Sequence, residues 1–261
     1  MRAIILAAGK GSRLNGAAGD LPKCLVNIGG VTLLERQIQA LRSVSIDDIY
    51  VVIGYGADSV RAICKNSVSY IENICYHQTN SLFSLWLARE LMRDGFVVMN
   101  GDVLFHPQLL KDFLSVHHED ALLISYCDKE STPLGDEEMK VRIRNATIAE
   151  ITKAMDPKKA DGENVGIGKF GPAGARVLVE KMDELIAAGA HRDWAPCAFR
   201  EFALERPLHA VSTNGFPWIE IDYPEDYRRA LDETLPLISM DEQLSADHLA
   251  ADELLAVAAE M

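Results

Sequence analysis

At 261 residues with a net charge of −13, 48% apolar and 25% charged residues, the chain has the composition of a globular protein of one large domain or two small ones. The charge argues against nonspecific nucleic-acid binding and leaves phosphate binding to a local basic cluster. No apolar run reaches the roughly 20 residues of a membrane span, the short apolar start before Gly9-Lys10-Gly11 is no secretion signal, and Cys24, Cys64, Cys75, Cys127 and Cys197 form no Cys-x-x-Cys pair, which argues against structural zinc and for a cytoplasmic protein with reduced thiols.

In chain order, residues 2–7 read as a strand and 32–43 as a helix with Leu33, Leu34, Ile38 and Leu41 on one face. Ile49–Ile53 reads as a buried strand, followed by a helix at 57–65, a strand near 69–74 and a helix at 81–93. Phe96–Asn100 is a strand ending at Gly101-Asp102; a helix at 107–116 and a strand at 121–126 follow. Beyond residue 127 come a hairpin (139–144 and 147–152 around Asn145-Ala146), a strand at 165–170, helices at 172–188 and 193–204, strands at 208–212 and 218–221, and a helix at 224–235. The strand–helix alternation predicts an α/β fold, a three-layer αβα arrangement around a mostly parallel sheet. Residues from about 240 form an acidic, alanine-rich tail, either a docking or dimerising helix or a mobile extension.

The first strand runs into Ala7-Ala8-Gly9-Lys10-Gly11-Ser12-Arg13-Leu14, with Pro22-Lys23 after a polar loop. Glycines after a strand let backbone N–H groups converge on an anion, and Lys10, Arg13 and Lys23 surround the turn with cations. A Walker A string is absent, and Leu14 stands where a dinucleotide-binding turn wants a third glycine. Asn15-Gly16, Gly19-Asp20 and Pro22 prolong the loop, which suits a triphosphate lying along it. Ligands of such sheets bind at the carboxyl ends of the strands. Two further positions qualify. Asn80 or Ser81 opens the 81–93 helix, as an N-cap or as a reader of a base edge. Asp102 directly follows a buried strand, where a carboxylate needs a cation partner, and reads as a magnesium ligand. In Trp218-Ile219-Glu220-Ile221-Asp222 the two acids alternate with isoleucines and so share one side of a strand; Asp222 serves as a metal ligand or as the cap of the last helix.

Leu6–Leu14 with Pro22-Lys23 resembles the signature of the nucleotidyltransferases that activate sugar phosphates and related phospho-alcohols. The resemblance implies a Rossmann-like nucleotidyltransferase fold, Arg13 and Lys23 on the triphosphate, and a Mg²⁺ ion held by Asp102 and Asp222. It further implies that Lys153, closing the second hairpin strand, grips the acceptor phosphate; by itself a lone lysine there is ordinary surface. The base pocket departs from the sugar enzymes, which carry Gln-x-x-x-Gly-Thr-Ala. Asn80–Ala88, Glu163–Phe170 and Trp218–Asp222 look similar to the cytidylyltransferases that act on phosphocholine and 2-aminoethylphosphonate.

The expected reaction is therefore transfer of CMP from CTP to a small phosphonate or phospho-amino-alcohol, 2-aminoethylphosphonate favoured over phosphocholine, with a sugar-1-phosphate nucleotidyltransferase using UTP, dTTP or CTP as the alternative. Leu6, Ala7, Ala8, Gly9, Gly11, Asn80 and Ser84 are the expected nucleotide contacts. Lys153, Glu163, Glu220 and Trp218 are the expected acceptor contacts. One domain is expected over 1–238, its nucleotide half at 1–126 and its acceptor half, built on the hairpin, at 127–238, with the tail at 239–261. No nucleic-acid or membrane partner is expected, and a homodimer stays open.

Overall fold

The computed structural model describes residues 1–14, 21–127 and 134–240. The loop extension over 15–20 and the acidic tail from 241 onward lie outside the described residues. The chain begins with β1 (Arg2–Ala7), the two-residue ribbon β2 (Asn27–Ile28) and β3 (Val31–Thr32), and α1 (Leu33–Ser43). Next come β4 (Ile49–Ile53), α2 (Ala57–Cys64), β5 (Ser69–Glu72), α3 (Ser81–Leu87), β6 (Phe96–Asn100), β7 (Val103–Phe105), α4 (Pro107–Ser115) and β8 (Ala121–Tyr126). The second half contributes β9 (Lys140–Arg144), β10 (Thr147–Thr152), β11 (Gly162–Phe170), α5 (Pro172–Ala187), α6 (Pro196–Glu205), β12 (His209–Ser212), β13 (Trp218–Glu220) and α7 (Pro224–Arg229).

A nine-stranded sheet runs in the order β5-β4-β1-β6-β11-β8-β12-β10-β9. Its strands share one direction except β10 and β11, which run against their neighbours. The sheet is thus mixed, with a parallel half built on β1, β4, β5 and β6. β1, β4 and β6 are nearly continuous apolar runs because helices cover both of their faces. Side chains alternate between two cores: Ala3, Ile5 and Ala7 pack with α1, α2 and α4, whereas Ile4 faces the core of α3, α5 and α6. The layers are helix, sheet and helix, and solved structures described below share the fold.

A third, smaller core lies beside the sheet. Leu14, Val26, Ile28 and Leu33 from the N-terminal region pack there with Leu104, Ile219, Ile221, Ala230 and Ile238. It is built around β7 and β13, which pair antiparallel outside the main sheet. The sequence reading contains no β7; three residues directly after a turn carry too short a pattern.

Three helices differ from expectation, and of these the 224–235 helix is regular only over Pro224–Arg229 and takes π geometry over Ala230–Thr234. The 81–93 helix ends at Leu87 and continues only as a 3₁₀ turn over Arg89–Leu91. The 193–204 helix starts at Pro196 instead, because the preceding turn is tied to α3. Leu82 N donates to Asp193 O, and Ala195 N to Ser81 Oγ, at 3.1 and 2.9 Å. The ties place Trp194 beside the start of α3. Among the described residues no helix is long and apolar enough to cross a membrane.

Candidate active site

At the carboxyl ends of β1 and β6 the structure opens a cavity of about 380 Å³. Leu6, Ala8 and Gly9 line one wall; Ala7 alternates away into the core. Gly11 has φ of +66°, and a Cβ there would stand 2.7 Å from the Cβ of Lys23. Only glycine lets the loop both turn and press onto Lys23. Leu14, buried in the third core, anchors the 3₁₀ turn Ser12–Leu14 and so aims Arg13 into the cavity. Lys10 lies over the Tyr55 ring, 5.3 Å from its centroid.

The β7–β13 ladder assembles the acidic part of the site. Glu220 pairs with Val103, and Ile221 N donates to Asp102 O at 3.0 Å. This register brings Asp102, at the end of β6, against Asp222, far away in sequence. Asp102, Glu220 and Asp222 each offer a carboxylate oxygen within 4.8 Å of the others. Glu220, expected among the acceptor contacts, joins the metal-type carboxylates because β13 presents positions 220 and 222 on one side. Asp226 accepts from the backbone N–H groups of Asp222 and Tyr223. Capping of α7 thus falls to Asp226, and the Asp222 carboxylate is left to the cavity.

Lys23 stands among these acids. Its ammonium donates to Asp102 Oδ2 at 2.8 Å and to Asp222 Oδ1. Burial alone would lower the Lys23 pKa; the two carboxylates outweigh it and hold the ammonium protonated. Asp102 Oδ1 is buried and has no hydrogen-bond partner. A buried carboxylate oxygen is costly unless a cation or donor meets it. Three hard oxygen ligands with one of them unsatisfied fit a hard divalent cation. Desolvation and the charges of Asp102 and Asp222 push the Glu220 carboxyl up to about 8, although much of the residue borders open solvent.

Across the cavity Lys153 leaves the end of β10. Lys140, buried on β9, donates to Lys153 O at 2.9 Å and fixes that turn. The Lys153 ammonium lies 3.3 Å from Glu137 and 5.1 Å from the Trp194 ring centroid. Glu137 also meets Arg13 at 3.1 Å. Its hydrogen bond from Lys153 and the Arg13 charge hold its carboxyl below the usual range. Glu137 gave no sequence signal, because it stands in an acidic run with no motif.

Two expected acceptor contacts lie elsewhere. Trp218 pairs with Phe105 and packs on the core under β6 rather than lining the cavity. Glu163 pairs with Lys140 across β9 and β11, while its neighbour Asn164 lines the cavity. Burial, with Glu138 nearby, lifts Glu163 to about 7.

The far end of the cavity is polar and uncharged. Asn80 and Ser84 are there as expected, with Asn73, Thr79 and Ser81 beside them. Asn80 caps α3 by accepting from Ser81 N at 2.8 Å, so the cap and the cavity position coexist. Asn73 was missed, since it follows β5 singly, without motif or periodicity.

The profile of a family described as the MobA-like NTP transferase domain matches residues 3–167. The chain is 28% identical over 237 residues to a choline-phosphate cytidylyltransferase of Streptococcus pneumoniae, covering 88% of this chain and 96% of that one. It is 25% identical over 250 residues to a CMP-5'-(3-aminopropyl)phosphonate synthase of Streptomyces rubellomurinus, covering 88% of this chain and 38% of that one. Sugar-phosphate nucleotidyltransferases are also among its relatives. A solved CTP:phosphocholine cytidylyltransferase from Streptococcus pneumoniae superposes with a TM-score of 0.73 at 23% identity, covering 87% of this chain and 96% of that one, and shows the same fold. With a triphosphate-type loop and acidic cluster at the strand ends, and a family match over most of its length, the chain belongs to the MobA-like NTP transferase family and is a nucleotidyltransferase.

Proposed function

We propose that this enzyme is a Mg²⁺-dependent cytidylyltransferase that moves CMP from CTP to a small amine-bearing phosphonate or phosphate ester, 2-aminoethylphosphonate being preferred to phosphocholine. The observation that carries this reading is the division of one cavity. One lining holds the cation-binding acids with Lys23 against them, the uncharged Asn80 and Ser84, and a second lysine, Lys153. The neutral end, with Asn80 and Ser84, suits a pyrimidine base. Arg13 and Lys23 suit the triphosphate. Lys153 suits the acceptor's phosphorus group.

An acceptor oxygen, already ionised at neutral pH, attacks the α-phosphorus. The new P–O bond forms as the bond to the β-phosphate bridging oxygen breaks, and pyrophosphate leaves with that electron pair. No protein nucleophile is required, and Ser, Cys and His have no covalent role here. The barrier is charge repulsion and alignment, which Arg13, Lys23 and Lys153 lower by holding two anions in line. Asp102, Glu220 and Asp222 would hold Mg²⁺, which would supply further charge neutralisation on the triphosphate.

The acceptor's amine is read from the surroundings of Lys153. Glu137 offers a carboxylate there, and Trp194 offers one ring. A primary amine is satisfied by a carboxylate, whereas a quaternary ammonium prefers several aromatic walls. The test is pyrophosphate release with Mg²⁺, crossing CTP, UTP, dTTP, ATP and GTP against 2-aminoethylphosphonate, phosphocholine and glucose-1-phosphate. Release with CTP and 2-aminoethylphosphonate supports the reading in full. A large preference for phosphocholine overturns the acceptor assignment, and release with the hexose phosphate moves the enzyme to sugar activation.

A further inference from the structure

Asn73 lies immediately after β5 and is 1% exposed. Its side-chain oxygen accepts from Cys75 N at 3.0 Å. A backbone N–H can only donate, so this contact fixes which way the amide faces. The Asn73 NH₂ group then donates to Thr79 Oγ1 and to Ser84 Oγ, each at 3.0 Å. Both amide hydrogens are thereby committed. Thr79 passes its own hydrogen to Cys75 O at 3.0 Å. Ser84, 4% exposed and lining the cavity, has taken a hydrogen from Asn73, and its own O–H has no acceptor among the described residues.

We infer that Asn73 is the specificity-setting residue of the base pocket: it turns Ser84 into a hydrogen-bond donor aimed at an acceptor nitrogen of the pyrimidine ring. The inference rests on the cytidylyl reading above and deepens it. Cytosine carries an unprotonated ring nitrogen between its carbonyl and its amine, whereas uracil and thymine carry an N–H at that position. A donor on Ser84 satisfies the first; to meet the second, Ser84 must turn its hydrogen away and offer its one remaining lone pair, which leaves the O–H without an acceptor. A site built for one hydrogen-bond polarity rejects the other because a buried polar group is left unpaired. Asn73 need not touch the nucleotide; it acts by dictating where the Ser84 hydrogen goes.

The substitution Asn73→Asp keeps the shape and the bond from Cys75 N but replaces two donors by acceptors. Ser84 then donates to the new carboxylate and shows its lone pairs to the base. The measurement is the ratio of kcat/KM for CTP to that for UTP at saturating acceptor, with equilibrium binding of each nucleotide to the full chain as a second readout. Asn73→Asp is expected to lower the CTP:UTP ratio by tenfold or more. Ser84→Ala is expected to lower it through loss of CTP efficiency, without raising efficiency toward UTP. Should Asn73→Asp fail to fold, Asn73→Ala takes its place, since it too withdraws the donor from Ser84 Oγ and is expected to lower the ratio. A CTP-selective wild type whose ratio is unmoved in the folded variants overturns the role of Asn73 and leaves the cytidylyl reading standing. A wild type that uses UTP as readily as CTP overturns that reading and this inference together.

Discussion

Lys23 occupies the space between Asp102 and Asp222, where positive charge is needed even in the bare protein. Removing it leaves two close carboxylates offset only by Arg13, 3.8 Å from Asp222, a destabilising arrangement that a divalent ion relieves. Lys23→Ala should therefore melt earlier than wild type in chelator and recover more on adding Mg²⁺, as a thermal scan with and without metal would show; its kcat should fall by about 10²–10³. Asp102→Asn should lose nearly all turnover while keeping a cooperative thermal transition; a near wild-type rate would remove Asp102 from the metal site. For Lys153→Ala the KM for the acceptor should rise more than the KM for CTP, and the opposite split would reassign it. At this scale the sequence was most legible where chemistry is written as a string. Arg13, Asp102 and Asp222 line the cavity and Lys23 contacts two of its acids, and all four belong to recognisable patterns; Lys153 also lines it, but only the family resemblance singled it out. Asn73, Glu137 and Trp194 are set by tertiary ties, and a single chain does not display those. Glu163 fails for a local reason: in β11 its neighbour Asn164 takes the cavity side, and alternation sends Glu163 the other way.

Among the elements, the hairpin of β9 and β10 turns through Asn145 and Ala146, with φ of 50° and 62°. Asparagine tolerates the left-handed region; alanine does not. Ala146→Gly should stabilise the protein by roughly 1 kcal/mol in denaturant titration, with kinetics unaltered because the turn lies at the opposite end of β10 from Lys153. His209, opening β12, stacks on His118 with ring centroids 3.7 Å apart. Burial, and then the neighbouring imidazole, depress the His209 pKa below 6.5. The unfolded chain then binds the proton more readily, so stability should fall as pH drops below about 6.5. His209→Gln should flatten the dependence of the unfolding midpoint between pH 7 and pH 5. Most strands and helices were legible in the sequence because a face or both faces are buried with regular period. β7 was not, and its partner β13 is distant in the chain, so the pairing that unites Asp102 with Asp222 emerges only from the fold.

For the whole molecule, a net charge of −13 leaves little attraction for polyanions, so the cleft relies on a few cations and on an ion that its acids would hold. The parallel half of the sheet and the matched family region supply the loop, Lys23, Asp102 and Lys153. Glu220 and Asp222 lie beyond that region, on a ribbon secured by the third core, where N-terminal and C-terminal segments meet. Asp222 is 199 positions from the lysine it touches. A chain emerging from a ribosome would display its glycine-rich turn early, yet would lack Glu220 and Asp222 until roughly two hundred further residues had followed. Over that span a nascent chain of this enzyme would carry its phosphate loop without two of the acids proposed to hold the metal.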